Sequence, residues 1–355
     1  MKIPIENIYY LLCYSWNKLE EAEQVDLESK DFTELIDLFA LVLKNGINHL
    51  LKKGFDRNYI LYSEDTKRLK GKIDFGVTIK RNLLKKARLQ CNFDEISFNV
   101  LHNQIIKSTV RNLLLLDGLE KDIKGGLREV YLNLNEVQLI KIEKKHFRLV
   151  QLNANNYFYD FLLKICELIF DNSFIEEHSG KYKFKDFIRD DRQMAYLFED
   201  FIRNFYKIEL PKYCKNAKTY RENIDWAAKA TEDSLDILPK MQTDISIELE
   251  ENKIIIETKY TGDTFQRFYD KESIRNAHIN QLFAYLTNIE KKGGCNIDCD
   301  GILLYPQTDK VLNHNYVFSS HKVNIRTINL NQNWKKIHDD LIELVNLKKF
   351  DTIIN

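Results

Sequence analysis

Two acidic residues and one lysine in the C-terminal half of the sequence have the types and spacing needed for metal-dependent phosphodiester chemistry. Asp244 lies in one predicted strand, and Glu257 and Lys259 lie in the next. Side chains alternate along a strand, so Glu257 and Lys259 project from the same face. Only the polar stretch Glu250-Glu251-Asn252 separates the two strands, which predicts an antiparallel hairpin with Asp244 close to the other two residues.

Such a cluster suits a magnesium ion. Carboxylates, together with backbone and water oxygens, are the hard ligands that Mg²⁺ prefers. A metal held by Asp244 and Glu257 would polarise a scissile phosphate and lower the pKa of a bound water. Lys259 would position or deprotonate the nucleophile, or stabilise charge on the phosphate. The triplet therefore predicts a Mg²⁺-dependent DNA endonuclease site of the PD-(D/E)xK type.

The same residues also have a purely structural interpretation. In a chain with 30% charged residues, an Asp followed by Glu-x-Lys occurs often by chance. Alternating acids on a half-exposed strand are normally a solvated face. However, Ile254-Ile255-Ile256 lead directly into Glu257, so the charges lie at the end of a buried strand. Solvation explains charged residues poorly in that position, and this favours a functional site.

Flanking helices carry polar residues that could support the site. Glu199 lies at the edge of an apolar helical stripe and could reach the metal directly or through water; it could equally be an ordinary helix-edge acid. Gln281 and Tyr285 are four apart and share a helix face. This pair resembles the Gln-xxx-Tyr pair of RecB-type nucleases, although a surface Gln and a core Tyr would look the same. His278, one turn earlier, is expected to be structural or solvated.

The apolar spacing predicts the elements that position these residues. Helices are expected at 32–53, 103–116, 157–169, 192–206, 273–289 and 334–347, and a helix or strand–helix entry at 5–16. Strands are expected at 73–79, 87–98, 242–249, 253–260, 301–305 and 323–330. This order predicts an α+β N-terminal domain over 1–150, with helices and a small strand-rich part. Residues 151–355 are expected to form an α/β domain of the PD-(D/E)xK restriction-endonuclease-like class, with leading helices.

Composition limits the function further. The 355 residues contain 53 basic and 53 acidic side chains, for a net charge of zero. A protein that binds DNA without a partner is usually basic, so a partner is expected to supply much of the DNA binding or recognition here. No G-x-x-x-x-G-K-[ST] loop is present, so nucleotide hydrolysis by this chain itself is not expected.

The expected location is the cytoplasm. No apolar run is long enough to span a bilayer, and no membrane association is expected. The six cysteines are scattered, which is typical of reduced thiols rather than a disulfide framework. Cys295 and Cys299 are the only close pair, and they are expected to be loop cysteines rather than zinc ligands.

Several segments together carry a family resemblance. They are Ile3–Leu12 with Tyr14 and Trp16, Lys70–Phe75, Leu238–Ile245, Glu257–Tyr260, Asn280–Leu286 and Leu303–Pro306. In these segments the chain resembles the McrC family, the nuclease subunit of McrBC-type modification-dependent restriction systems. The resemblance covers nearly the whole chain. Asp also occurs in that family at the position of Glu257, and both are metal-ligating carboxylates.

The resemblance implies a partner and a division of labour. McrC-like proteins pair with McrB, an AAA+ GTPase that forms a hexameric ring and reads methylated cytosine. It implies that residues 1–150 dock into the ring and stimulate GTP hydrolysis, and that residues 151–355 cut double-stranded DNA. GTP would be bound by the partner. A basic cluster could contact the partner, DNA or only water: Arg57, Lys67, Arg68, Lys70, Lys72, Arg81, Lys85, Lys86 and Arg88.

Three functions remain open from the sequence. The first is a GTPase-coupled endonuclease that makes double-strand breaks in modified DNA. The second is a regulatory subunit that activates the GTPase ring and has a weak or inactive nuclease site. The third is a nuclease that acts alone. The intact Asp244, Glu257 and Lys259 favour the first over the second, and the third would predict a more basic DNA-binding face.

Overall fold

The computed structural model describes residues 3–25, 32, 34–153, 156–176, 182–229, 237–250, 252–261, 265–268 and 271–345. The chain divides into two compact units. The C-terminal unit contains residues 1–19 and 187–355, and the N-terminal unit contains residues 20–186.

Helices and strands alternate irregularly along the described residues. The α-helices are α1 (Ile5–Ser15), α2 (Leu19–Glu23), α3 (Leu35–Lys53), α4 (Phe75–Lys80), α5 (Leu101–Leu114), α6 (Lys121–Asn133), α7 (Lys144–Leu149), α8 (Tyr157–Asp171), α9 (Asp191–Tyr213), α10 (Asn276–Ile289) and α11 (Trp334–Leu344). The β-strands are β1 (Asn58–Thr66), β2 (Lys72–Ile73), β3 (Leu89–Ser97), β4 (Ser173–Ile175), β5 (Tyr182–Phe184), β6 (Lys218–Tyr220), β7 (Asn223–Ile224), β8 (Met241–Gln242), β9 (Ile245–Glu248), β10 (Lys253–Thr258), β11 (Phe265–Phe268), β12 (Lys271–Ile274), β13 (Asp300–Pro306), β14 (Asn313–Phe318) and β15 (His321–Ile328).

The N-terminal unit is a helical bundle with a small sheet. Helix α3 packs against α5, α6 and α8, and its apolar stripe, which includes Leu38, Phe39 and Val42, is fully buried. The sheet has the order β1-β3-β2, with β1 and β3 antiparallel along their whole length. The mixture of helices and a small sheet agrees with the expectation for this part of the chain.

The strand predicted at 73–79 is wrong. Only Ile73 belongs to a strand, and α4 begins at Phe75. The Asp74 carboxylate accepts a hydrogen bond from the Val77 backbone N–H at 2.9 Å, which caps the first turn of the helix. The strand propensity of residues 73–79 is too weak to outweigh the helix that this cap stabilises. The helix predicted from residue 273 also begins later, at Asn276, after β12.

The C-terminal unit is built on a six-stranded mixed sheet of order β14-β15-β13-β10-β9-β6. Strands β10, β13 and β15 are parallel, whereas β9 runs antiparallel to β10 and to β6, and β14 antiparallel to β15. Helix α10 packs on β10 and β13, and α9 packs on β6 and β9. Every residue of β10 is buried, so both faces of this central strand are covered.

The units do not divide at the expected boundary near residue 150. Helix α1 packs on α9 in the C-terminal unit, where Tyr10 stacks on Trp334 and Tyr14 lies against Phe205. Helix α8 instead packs against α3 and α5 in the N-terminal unit. Partners far apart in sequence set both placements, and no linker composition marks the boundary. The functional roles expected for the two parts stay predictions.

Two further expectations concern thiols and membranes. Each of the six cysteines is free. Within the described parts of the chain, none of the helices combines the length and the apolar character that a membrane span requires.

The contact between α10 and β13 gives a first prediction. A methyl group added at Gly301 would lie 2.9 Å from Leu286 Cδ1 and 3.3 Å from Leu282 Cδ2, both on α10. Gly301→Ala should therefore push the helix and cost about 1–3 kcal/mol of stability, measured by thermal unfolding. The control is Gly125→Ala in α6, where the methyl group meets no described atom within 4 Å and should not destabilise. A Gly301→Ala protein that melts no lower than wild type would contradict the tight packing.

Candidate functional site

The predicted hairpin is present and brings Asp244, Glu257 and Lys259 together. Strands β9 and β10 are antiparallel, with Ile245 opposite Ile256. Asp244 lies just before β9, and its Oδ2 accepts hydrogen bonds from both the backbone N–H and the hydroxyl of Thr258, each at 2.9 Å. Asp244 is thus fixed beside the residue that follows Glu257.

A β-bulge aims the Asp244 side chain. In the ladders on either side of it, Tyr220 pairs with Ser246 and Asn223 pairs with Gln242. Between these two pairs, one strand has two residues, 221 and 222, and the other has three, 243 to 245. Asp244 is the middle one of the three. The continuous strand predicted at 242–249 is therefore broken here. Bulges redirect side chains next to active sites, and this one turns Asp244 towards the end of β10.

Glu257 is the most deeply buried charged group of the cluster. Its side chain is 1% exposed, and its Oε1 accepts a hydrogen bond from Lys259 Nζ at 2.6 Å. Its buried Oε2 has no hydrogen-bond partner among the described residues. Burial and, to a smaller extent, the Asp244 carboxylate raise the pKa of Glu257, whereas Lys259 and the backbone N–H of Asp244 lower it; the net pKa is about 7. The carboxyl group therefore loses its proton near neutral pH, and another cation beside it would lower its pKa and favour the carboxylate.

A hydrogen-bonded chain orients Lys259. Its Nζ also donates to Gln281 Oε1 at 3.0 Å. Gln281 Nε2 donates to the Tyr285 hydroxyl at 2.8 Å, and that hydroxyl donates to the Gln242 carbonyl at 2.9 Å. Burial raises the pKa of Tyr285 to about 12, so its hydroxyl keeps the proton. The structure thus places Gln281 and Tyr285 next to the cluster, where they fix the lysine.

Glu199 lies beside the cluster and is linked to it through an arginine. Its Oε1 pairs with Arg203 Nη1 at 2.8 Å and also with Arg221 Nη2. Arg203 Nη1 lies 3.5 Å from the Asp244 carbonyl oxygen. The carboxylate of Glu199 therefore has two guanidinium partners, and a direct role at a metal stays a prediction.

Three residues that contribute to the candidate site were not predicted from the sequence. Thr258 holds Asp244, and Arg203 and Arg221 surround Glu199. Arg203 follows Glu199 by four residues on a helix, which is a usable signal for an ion pair. Arg221 has no such signal, because its contact depends on how distant strands pair.

His278 has a structural contact, as expected. Its Nδ1 lies 2.9 Å from the hydroxyl of the buried Tyr305. Burial lowers the pKa of His278 to about 4, and the neighbouring Lys259 and Arg275 lower it too. The ring is neutral at neutral pH and ties the start of α10 to β13.

The donor set fits magnesium. Among the described residues, no three or more His, Cys, Asp or Glu side chains lie together in a group that could hold a metal. Mg²⁺ does not need one, because it usually keeps several waters and binds one or two carboxylates. Asp244 and Glu257 supply these, and the unpartnered Glu257 Oε2 is a buried acceptor that a cation would satisfy.

Comparisons with known proteins agree on one family. The model of the family described as McrBC 5-methylcytosine restriction system component matches residues 6–306. The Type IV methyl-directed restriction enzyme EcoKMcrBC of Escherichia coli (strain K12) is 32% identical over 343 residues, which are 96% of this chain and 97% of that protein. A chain in the refined half-complex from the tetradecameric assembly of Thermococcus gammatolerans McrB AAA+ hexamers with bound McrC has a similar fold. It has a TM-score of 0.56 and 16% identity, and the match covers 95% of this chain and 75% of that chain.

The buried carboxyl group gives a pH-dependent prediction. The folded pKa of Glu257, about 7, lies above that of an unfolded carboxyl, so the folded state binds the proton more tightly. That stabilisation is complete below the unfolded pKa and is lost as pH rises through about 7. Glu257→Gln should therefore gain stability relative to wild type, by on the order of 2 kcal/mol, between about pH 5 and pH 8 in metal-free buffer.

The measurement is denaturant unfolding in the presence of a chelator. Glu250→Gln, in the exposed turn of the same hairpin, makes the same chemical change without a buried carboxyl group. A difference between Glu257→Gln and wild type that does not depend on pH would show that the carboxyl group is not buried as described.

Proposed function

Because the chain belongs to the family of McrBC 5-methylcytosine restriction system components, we propose that it is the McrC-type, Mg²⁺-dependent endonuclease subunit of a GTP-driven restriction complex. Its substrate is double-stranded DNA that contains methylcytosine. The observation that carries the proposal is the buried Glu257, with one oxygen on Lys259 and the other unpartnered, beside Asp244.

The fold of the C-terminal unit supports this assignment. The hairpin of β9 and β10 lies in a mixed sheet covered by α9 and α10. This arrangement supports a PD-(D/E)xK restriction-endonuclease-like domain, in which Asp244, Glu257 and Lys259 would supply the three characteristic residues. We assign nuclease activity to this unit and partner docking to the N-terminal unit.

The mechanism follows from what each side chain can do. Asp244 and Glu257 would hold Mg²⁺, which supplies Lewis-acid activation of the phosphate and of a bound water. Lys259 is 20% exposed, so its ammonium group can contact a phosphate while Glu257 and Gln281 fix its position. It orients the nucleophile and stabilises charge that develops on the phosphate oxygens. Thr258 and the bulge keep Asp244 in place throughout.

A partner explains the neutral charge. The solved complex of similar fold contains McrB AAA+ hexamers with bound McrC, and the E. coli relative is a methyl-directed enzyme. We assign to this chain a McrB-like AAA+ GTPase hexamer as partner, whose GTP hydrolysis it stimulates and which reads the modified base. The chain itself has no Gly-rich phosphate loop that would bind GTP.

The segment 58–97 of the N-terminal unit, which contains the small sheet and α4, is the best candidate for the docking surface. It exposes large apolar side chains at Tyr59, Leu61, Leu69, Phe75, Ile79, Leu84 and Ile96. Most of the basic residues singled out in the sequence are also exposed here. Apolar surface rimmed by charge is typical of protein–protein interfaces. The same surface would serve a purely regulatory subunit, so the nuclease site itself must be tested.

Substitutions in the site should separate cutting from GTPase stimulation. The assay is cleavage of a cytosine-methylated plasmid with Mg²⁺ by the chain and its AAA+ partner, with and without GTP. Asp244→Ala and Lys259→Ala should each reduce GTP-dependent double-strand cutting at least about 100-fold, because each removes a group that acts on the phosphate. Stimulation of GTP hydrolysis should survive in both.

The matched control is Glu250→Ala, in the turn of the same hairpin, which should cut like wild type. Cutting that persists in both site variants would mean that the site is assigned wrongly. Wild-type protein that stimulates GTP hydrolysis without cutting would favour the regulatory-subunit function.

A further inference from the structure

We propose that Arg221 is a DNA-backbone contact of the nuclease site, paired with Glu199 until a phosphate takes the place of that carboxylate. The inference rests on the proposed nuclease function and adds a residue outside the Asp–Glu–Lys motif. Its ligand is a phosphodiester next to the one that is cut.

The bulge places Arg221 beside Asp244. Arg221 is one of the two residues that lie opposite the three-residue stretch centred on Asp244. Its neighbour Glu222 exchanges hydrogen bonds with Thr243, the neighbour of Asp244: Thr243 N–H donates to the Glu222 carbonyl at 2.9 Å, and Glu222 N–H donates to Thr243 Oγ1 at 3.0 Å. The two strands therefore hold Arg221 at the metal-ligand end of the site.

Exposure separates Arg221 from the other two cations. The side chains of Lys259 and Arg203 are 20% and 17% exposed, and that of Arg221 is 42% exposed. Lys259 is held by Glu257 and Gln281, and Arg203 by Glu199, Asp200 and the Asp244 carbonyl. The ion pair described for Arg221 is with Glu199. Of the three, Arg221 is the cation that an approaching polyanion meets first.

The exchange of Glu199 for a phosphate is energetically easy. An ion pair with a cation this exposed contributes little stability, because water screens it. When Arg221 binds a phosphate, Glu199 still forms its ion pair with Arg203. Its mostly buried carboxylate therefore retains a partner. A guanidinium group can donate two parallel N–H bonds to a phosphate, which gives the new pair a defined geometry.

The acidic residues at the site favour such a contact. Glu199, Asp200, Asp244 and Glu257 all lie in or beside the candidate site, and their described contacts include Arg203, Arg221 and Lys259. The chain as a whole has no net positive charge to attract DNA. We therefore expect local cations such as Arg221 to hold the DNA backbone while Lys259 contacts the phosphate that is cut.

The test compares Arg221→Gln and Arg221→Lys with the control Arg192→Gln. Arg192 is an exposed arginine at the start of α9 that lies over Tyr196. Cleavage of methylated plasmid by the complete complex is followed over a series of salt concentrations. Arg221→Gln should cut about tenfold more slowly, and the log–log dependence of its rate on salt should be less steep by about one. Arg221→Lys should keep the steeper salt dependence.

Two measurements on the chain without partner exclude a structural effect: thermal unfolding and binding of Mn²⁺ as a probe for the metal site. Both should match wild type in Arg221→Gln. The proposal is overturned if Arg221→Gln cuts with the rate and salt dependence of Arg192→Gln. It is also overturned if both Arg221 variants melt early or lose Mn²⁺, because Arg221 would then only brace Asp244. Wild-type protein that cuts no better than Asp244→Ala would instead overturn the proposed nuclease function, and the DNA contact with it.

Discussion

The site depends on keeping the carboxyl group of Glu257 inside the sheet. A buried carboxylate is costly unless cations and hydrogen-bond donors surround it. Here Oε1 accepts a hydrogen bond from Lys259, Oε2 accepts none among the described residues, and burial raises the pKa of Glu257 to about 7. A divalent cation next to Asp244 and Glu257 would remove that cost. The arrangement therefore favours metal binding before any substrate arrives.

The surrounding elements make this burial possible and aim the other groups at it. Both faces of β10 are covered, and α10 lies so close to β13 that a methyl group on Gly301 would meet Leu286 Cδ1 at 2.9 Å. That approach lets Gln281 reach Lys259, while Tyr285 ties the helix to β8. The bulge opposite Arg221 turns Asp244 inward from the other side. Each group of the candidate site is thus placed by β10 itself or by an element that packs against it.

Local patterns allowed much of this site to be predicted from the sequence. A polar turn between two strands fixed the hairpin, and i,i+4 spacing put Gln281 and Tyr285 on one face. The bulge could not be predicted, because it arises from the pairing of strands that are distant in sequence. The contacts of Arg221 follow from that pairing, so they were missed too. The placements of α1 and α8 also depend on partners that are distant in sequence. For this reason the two units do not divide at the expected boundary near residue 150.

The central claim is that Glu257 and Asp244 form a metal site around a buried carboxyl group. The most direct measurement is titration of the chain with Mn²⁺ by calorimetry in two buffers of different ionisation enthalpy, beside Glu257→Gln and Asp244→Asn. We expect wild type to bind Mn²⁺ at one site, and each variant to bind it at least about tenfold more weakly. Binding should release more protons at about pH 6 than at pH 8, because Glu257 is largely protonated at pH 6. Equal Mn²⁺ affinity in wild type and Glu257→Gln, with no proton release, would contradict the account.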